Sequence, residues 1–419
     1  MPALDQLPFE TLVQILSSIS TEDLTQTSLV CRQLSAVSEV LLYQSPRLVV
    51  VQRIYPWPSM ERFIETLIYS PRVKLGNYVH SLNVEWDRSS LVDPAAYPVS
   101  IWPPAFHNLV GYHGAHCVLL LHILPSVRVL KIIPPRDIPD VSQSYISHCL
   151  EAPQSGPAVP TLQLQSLRIF MCPYADNHGA IPRGNSRGGV TSGAVLALMK
   201  LPCIETIDTH LTDWSPVPAA GSGNNVRFST VTSLRLSGHT MSTPALSILL
   251  NAPVALTRFS YVSIDLGEFY MSDLTTAMLP LKASLEYLYL DLMRSNIMFT
   301  TEKVERICDF IQTWPSLHTL SCSARELMGY SKRDQDLVLA ELLPRGLRGL
   351  RVVMDHCWGY DVVVRLVVEL IRTKDVAMPL LESVALMVWW ERDDAAHVML
   401  QAACVKSGVK LVEYEDFCW

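Results

Sequence analysis

Among residues able to do chemistry, the closest group is His113, His116, Cys117 and His122. Imidazole and thiolate together are the donor set for a zinc ion. The spacing, His-x-x-His-Cys with a further His five residues on, matches no standard zinc pattern, and Val118–Leu121 between them reads as buried helix. No metal is assigned to it. The ten cysteines are scattered and form no Cys-x-x-Cys pair, so they read as reduced thiols of a cytoplasmic or nuclear protein. Gly221-Ser222-Gly223 opens a segment that is neither a phosphate loop nor a dinucleotide fingerprint, and residues 177–189 read as a long surface loop with solvated arginines. No Gly-x-Ser-x-Gly, His-Glu-x-x-His or nucleophilic-cysteine context occurs. No catalytic residue and no cofactor is expected.

Composition narrows the class further. Apolar residues make up 49% of the 419-residue chain and charged residues 17%, a balance that argues for a well-buried core and against disorder. The formal charge of −7 comes with no basic run, which argues against nucleic acid. Neither a signal peptide nor an apolar stretch of membrane-spanning length is apparent, so no membrane partner is expected.

Two kinds of element remain to be placed. In the N-terminal stretch, Leu12, Ile15, Leu16 and Ile19 fall on one helical face, and Pro8 suits a first helical position. Ser20-Thr21-Glu22-Asp23 has the spacing of a second helix start. Val30, Leu34, Val37 and Leu41 repeat the spacing in a third segment. Three short helices hold more apolar positions than they can bury alone, so they need another surface: the rest of the chain, or a partner groove.

From residue 76 onward the pattern changes to short alternating strands centred on Leu82, Leu130, Leu167, Ile207, Leu234, Phe259, Leu288, Leu320, Leu350, Val384 and Leu411. From Ile207 the steps are 27, 25, 29, 32, 30, 34 and 27 residues, after wider early steps of 48, 37 and 40. A recurring period in this range marks a repeat array. Apolar helical segments lie between the strands and often end in a proline-led junction, as in WPSLHT and MPLLESV. The expected fold is α/β: a three-helix unit over 1–45, a linker with one helix over 46–75, and an irregular array over 76–419 with a curved parallel sheet and outer helices. A doubly wound α/β domain is the alternative.

Leu7-Pro8-x-Glu10, Ile15-Leu16, Asp23-Leu24 and Ser28-Leu29-Val30-Cys31-Arg32 resemble the F-box, over about the first tenth of the chain. The L-x-x-L-x-L strands resemble leucine-rich repeats in an irregular form. The first resemblance implies docking on the Skp adaptor of a cullin-RING ubiquitin ligase through Leu7, Pro8, Glu10, Leu12, Ile15, Leu16, Leu24, Leu29, Val30, Cys31 and Leu34. Together they imply a substrate-recognition subunit that performs no chemistry and holds an unidentified protein target. Alternatives are a Skp-bound scaffold without ubiquitin transfer, an enzyme with an unrecognised site, and, for residues 1–45 alone, an ordinary helical cap. Leucines at alternate strand positions fill the core and leave the intervening residues on the opposite face. Candidate target contacts are therefore Arg235, Tyr287, Tyr289, Asp291 and Arg351, with Trp358, Trp389 and Trp390 from the loops after strands.

Overall fold

A computed structural model describes residues 7–50, 63–64, 66–67, 75–86, 123–124, 126–133, 165–169, 190–191, 195–196, 198–213, 229–238, 243–263, 271–292, 306–329, 337–354, 358–388 and 394–412. The chain forms two compact units, Met1–Thr212 and Asp213–Trp419. The division falls inside the segment that the sequence pattern reads as one array.

The first unit opens with three helices, α1 (Phe9–Leu16), α2 (Thr21–Thr27) and α3 (Arg32–Gln44). Ser20 caps α2: its Oγ accepts the Asp23 N–H at 3.1 Å and donates to the Asp23 carboxylate at 2.7 Å, which satisfies one of the donors orphaned at a helix start. Pro8 lies one residue outside α1 as its N-cap, its carbonyl accepting the Leu12 N–H at 3.0 Å. Leu12, Leu16, Leu24, Leu34 and Val37 close a small core between the helices. The trio is also tied to later segments of the first unit. Tyr43 of α3 stacks on Phe63 at 6.0 Å between ring centroids, and the Gln44 carbonyl accepts the His80 N–H at 3.0 Å.

Residues 47–50 are not linker but the strand β1 (Arg47–Val50), paired in parallel with β2 (Ser81–Trp86). The β-branched pair Val49-Val50 favours that conformation. Phe63, Ile64, Thr66 and Leu67 are helical. Parallel pairing continues through β3 (Val129–Ile133), β4 (Ser166–Ile169) and β6 (Thr206–Asp213), with β5 (Val190–Thr191) off this path on β6. Before β2, Gly76 lies so close to the Ile123 carbonyl that a Cβ would sit 2.7 Å from its oxygen. No side chain fits there.

In the second unit the strands β7 (Ser233–Gly238), β8 (Arg258–Ser263), β9 (Tyr287–Asp291), β10 (Thr319–Ser323), β11 (Gly349–Val353), β12 (Ser383–Met387) and β13 (Lys410–Leu411) are all parallel and in chain order. Parallel neighbours need crossover connections. These carry α4 (Thr243–Asn251), α5 (Met271–Met278), α6 (Ile307–Ile311), α7 (Ala324–Met328), α8 (Leu339–Leu342), α9 (Tyr360–Arg372), α10 (Lys374–Ala377) and α11 (Asp394–Ser407). The leucine spacing explains the core. Leu285, Leu288 and Leu290 are buried together, and Leu317, Leu320 and Cys322 repeat the pattern one strand later.

A backbone joint recurs at the entries of β3, β4, β6 and β8 to β12. The Thr257 carbonyl accepts the N–H of both Glu286 and Tyr287, at 2.8 and 3.0 Å. Glu286 does the same for His318 and Thr319, His318 for Arg348 and Gly349, and Arg348 for Glu382 and Ser383, all at 2.7–3.0 Å. In the first unit His80, Arg128 and Gln165 serve their successors in the same way.

Candidate functional sites

The eleven residues implicated in adaptor docking divide in three. Leu12, Leu16, Leu24 and Leu34 are buried in the helical core and offer no contact surface. Helices of 8, 7 and 13 residues are too short to stand without one. Leu7 and Cys31 are partly buried against that core, and Gln33 fixes the Leu7 carbonyl through a 2.9 Å hydrogen bond from Nε2. Pro8, Glu10, Ile15, Leu29 and Val30 are exposed.

Leu29 and Val30 stand out at 77% and 72% exposure. They occupy the turn between α2 and α3 rather than a third helical face, because α3 begins only at Arg32. The Leu29 and Val30 N–H groups each donate at 3.1 Å, to the Gln26 and Thr27 carbonyls, so the turn is held while both side chains point outward. Phe9, on the first turn of α1, is a further exposed aromatic that helical periodicity alone did not single out; its place directly after Leu7-Pro8 was the available signal.

On the sheet of the second unit, register brings Arg235, Ser260, Tyr289, Ser321 and Arg351 into one row across β7 to β11. The row beside it carries Arg258, Tyr287 and Thr319. Two arginines sit over the two tyrosine rings: the Arg258 guanidinium carbon lies 5.1 Å from the Tyr287 centroid and that of Arg351 lies 5.9 Å from the Tyr289 centroid, within cation–π range. Burial pushes the Tyr289 hydroxyl up to about 12, and the Asp291 carboxylate adds to the rise against Arg351 and Arg235. Tyr287 is pushed up further by burial. Both remain neutral donors at physiological pH.

Sequence alternation places these residues on one face, but their exposure differs. Tyr287, Tyr289, Asp291 and Arg235 are half-buried, whereas Arg351 and Ser321 are buried. Arg351 donates through Nε to the Met387 sulfur at 2.7 Å and also reaches it through Nη2. Trp358, expected on an open loop, is only 4% exposed, and its indole N–H donates to the Gly329 carbonyl at 2.8 Å. It fastens the end of α7 and presents no surface. Trp389, Trp390 and the His113–His122 group lie outside the described residues. Among the described residues no cluster of His, Cys, Asp or Glu could hold a metal ion, and no helix is long and apolar enough to cross a membrane.

At the C-terminal ends of β9 and β10, Glu326 is fully enclosed. Its Oε1 accepts the Leu292 N–H at 2.6 Å and its Oε2 the Ser323 N–H at 2.7 Å, while Ser323 Oγ accepts the Glu326 N–H at 3.1 Å. Arg325 completes the clamp by donating to the Leu292 carbonyl at 3.1 Å. Ser323-x-x-Glu326 is a capping box, and its second oxygen ties the neighbouring strand end as well.

Comparison with known proteins agrees with the N-terminal geometry. Residues 4–48 match the F-box-like family. The matched segment contains the three helices and the exposed turn, so the chain carries an F-box-like domain at residues 4–48. No curated protein matches the chain.

Proposed function

We infer that the protein is the target-recognition subunit of a Skp–cullin–F-box type ubiquitin ligase. The F-box-like domain docks on the Skp adaptor, and the second unit, read as irregular leucine-rich repeats, holds a protein target. The reading rests above all on Leu29 and Val30, two adjacent apolar side chains more than 70% exposed inside the segment that matches the F-box-like family. A turn that spends hydrogen bonds to present two such side chains needs a partner to cover them. Parallel strands in chain order support the repeat reading, as do the buried leucines Leu285, Leu317 and Leu347, each three residues before the core leucine of its strand. The protein contributes no chemical step. It raises the effective concentration of its target near a ubiquitin-charged enzyme.

The test is reconstitution with purified Skp adaptor and cullin. Leu29→Ser with Val30→Ser should weaken adaptor binding at least tenfold, because burying either side chain is worth about 1.5–3 kcal/mol. The fold should be unaffected, since both side chains are already in water. Undiminished adaptor binding by the double variant refutes the docking surface. Cullin recruitment without ubiquitylation of a captured target would favour the scaffold reading.

A further inference from the structure

The helix α11 has two apolar sides. Ala396, Leu400 and Cys404, four residues apart, are buried. The helix packs on α9, and the Tyr360 hydroxyl of α9 lies 3.1 Å from His397 Nδ1. The opposite side of α11 carries Ala395, Val398, Ala402 and Val405, all exposed, the valines at 62% and 78%. Their 3-4-3 spacing is that of a coiled-coil seam. The neighbouring α9 turns charge outward instead, with Arg365 on Asp361 at 3.4 Å and Arg372 on Glu369 at 3.8 Å. A helix apolar on both sides is expected to be covered on both.

The order of residues on this outer side specifies what covers it. Asp394 and Lys406 stand six residues either side of Leu400, Ala395 and Val405 five, and Val398 and Ala402 two. At 1.5 Å per residue these are axial offsets of about 9, 7.5 and 3 Å. Reversed end to end about the level of Leu400, the face is therefore its own complement. A second α11 lying antiparallel on the first sets every valine against an alanine and each Asp394 against a Lys406. Large against small lets the seam interdigitate, with the helix axes about 8 Å apart. A parallel pair would set like charges against each other. Asp394 and Lys406 are both exposed, and among the described residues neither is in an ion pair.

We propose that the protein self-associates as a two-fold dimer in which the outer face of α11 packs antiparallel on the same face of a second copy. Such an interface is isologous, the same patch serving both subunits. The inference uses the surface of the second unit alone and is independent of the ligase reading. Together the two place a pair of target-holding units in one assembly, where a target with two recognition segments gains avidity. Four short side chains per copy bury well under the ~1,200 Å² of a standard interface, so the dimer is weak, with a Kd of about 10–100 µM.

The test is sedimentation equilibrium of the full-length chain from about 1 to 300 µM, a range that brackets this Kd. The wild type should pass from monomer to dimer. Val398→Glu with Val405→Glu should stay monomeric throughout, with an unchanged melting temperature because both side chains are already in water. Asp394→Lys alone sets lysine against Lys406 at both ends, and Lys406→Asp alone sets aspartate against Asp394; each should weaken association at least about threefold. An equimolar mixture of these two variants should associate as tightly as the wild type, since opposite charges then meet at both ends. A monomer at every concentration overturns the proposal, as does a dimer that the valine variant leaves intact. A mixture no tighter than its components overturns the antiparallel pairing on which it stands. A chain that dimerises only once residues 413–419 are deleted overturns it too, and gives the face to that segment.

Discussion

Replacing Glu326 by glutamine should remove a pH dependence from the stability of the second unit. Burial drives this carboxyl from its ordinary value of about 4.5 up to about 7, against the opposing pull of the Ser323 and Leu292 N–H groups and Arg325 and with a further push from Asp291. The folded value lies above the unfolded one, so between pH 4.5 and 7 the folded state holds more protons. Stability from this group is therefore greatest at the acid end and falls as pH rises through that window. Seven against 4.5, at about 1.4 kcal/mol for each pH unit, comes to about 3.5 kcal/mol of stability lost between strongly acid solution and pH 8. Glutamine resembles the protonated form: it stays neutral, and its –NH2 faces one of the two N–H donors. Glu326→Gln should thus be less stable than the protonated wild type near pH 5 by about 1–3 kcal/mol for that orphaned donor, a deficit offset near pH 8 by relief of the buried charge. The assay is urea unfolding of both proteins at pH 5, 6, 7 and 8. The difference between their unfolding free energies should swing by about 2.5 kcal/mol in the variant's favour from pH 5 to 8, because part of the shift lies below pH 5. Other titrating groups are common to both and cancel. Parallel curves over that range would refute the argument that burial outweighs the two backbone hydrogen bonds.

Three further substitutions separate packing from presentation. Leu12→Ala should cost about 2–5 kcal/mol by opening a cavity in the helical core, and should cut adaptor binding indirectly, with loss of helical circular dichroism that Leu29→Ser and Val30→Ser do not show. Ser20→Ala should cost about 1 kcal/mol through loss of the α2 cap, measurable as a lower denaturation midpoint of the first unit. Trp358→Phe should cost about 1 kcal/mol for its hydrogen bond to Gly329, measurable as a lower denaturation midpoint of the second unit, and should leave adaptor binding unchanged.

Much of the N-terminal domain was legible because its signals are local. The Ser20–Asp23 spacing specifies a cap that forms as expected, and the leucines of α1 specify a buried face. Which apolar residues dock and which pack was not legible, since both groups are leucine, isoleucine or valine; only the turn at Leu29-Val30 separates them. Likewise Leu288, Leu320 and Leu350 announce their strands, and alternation places Arg235, Tyr289 and Arg351 on one face. It does not say that Arg351 lies buried with its guanidinium at Met387 and over Tyr289, because that depends on a residue two strand positions on in the next chain segment. β1 escaped because four residues are too few to show alternation. The capping box at Ser323–Glu326 was present in the sequence, but a five-residue helix directly after a strand gives no periodicity to draw attention to it.

The joint that recurs at strand entries involves backbone atoms alone. In the second unit its acceptors belong to threonine, glutamate, histidine and arginine, side chains of different size, shape and charge. Register between neighbouring strands is thus carried by a device that no side-chain change other than one to proline removes. Leucines can drift to Phe259 or Val384, loops can lengthen, and the intervals can wander by several residues while the strands still meet in the same alignment. A family built on such a joint can lose its recognisable repeat signature well before it loses its architecture, and the residues on the polar face are left free to diversify from one member to the next.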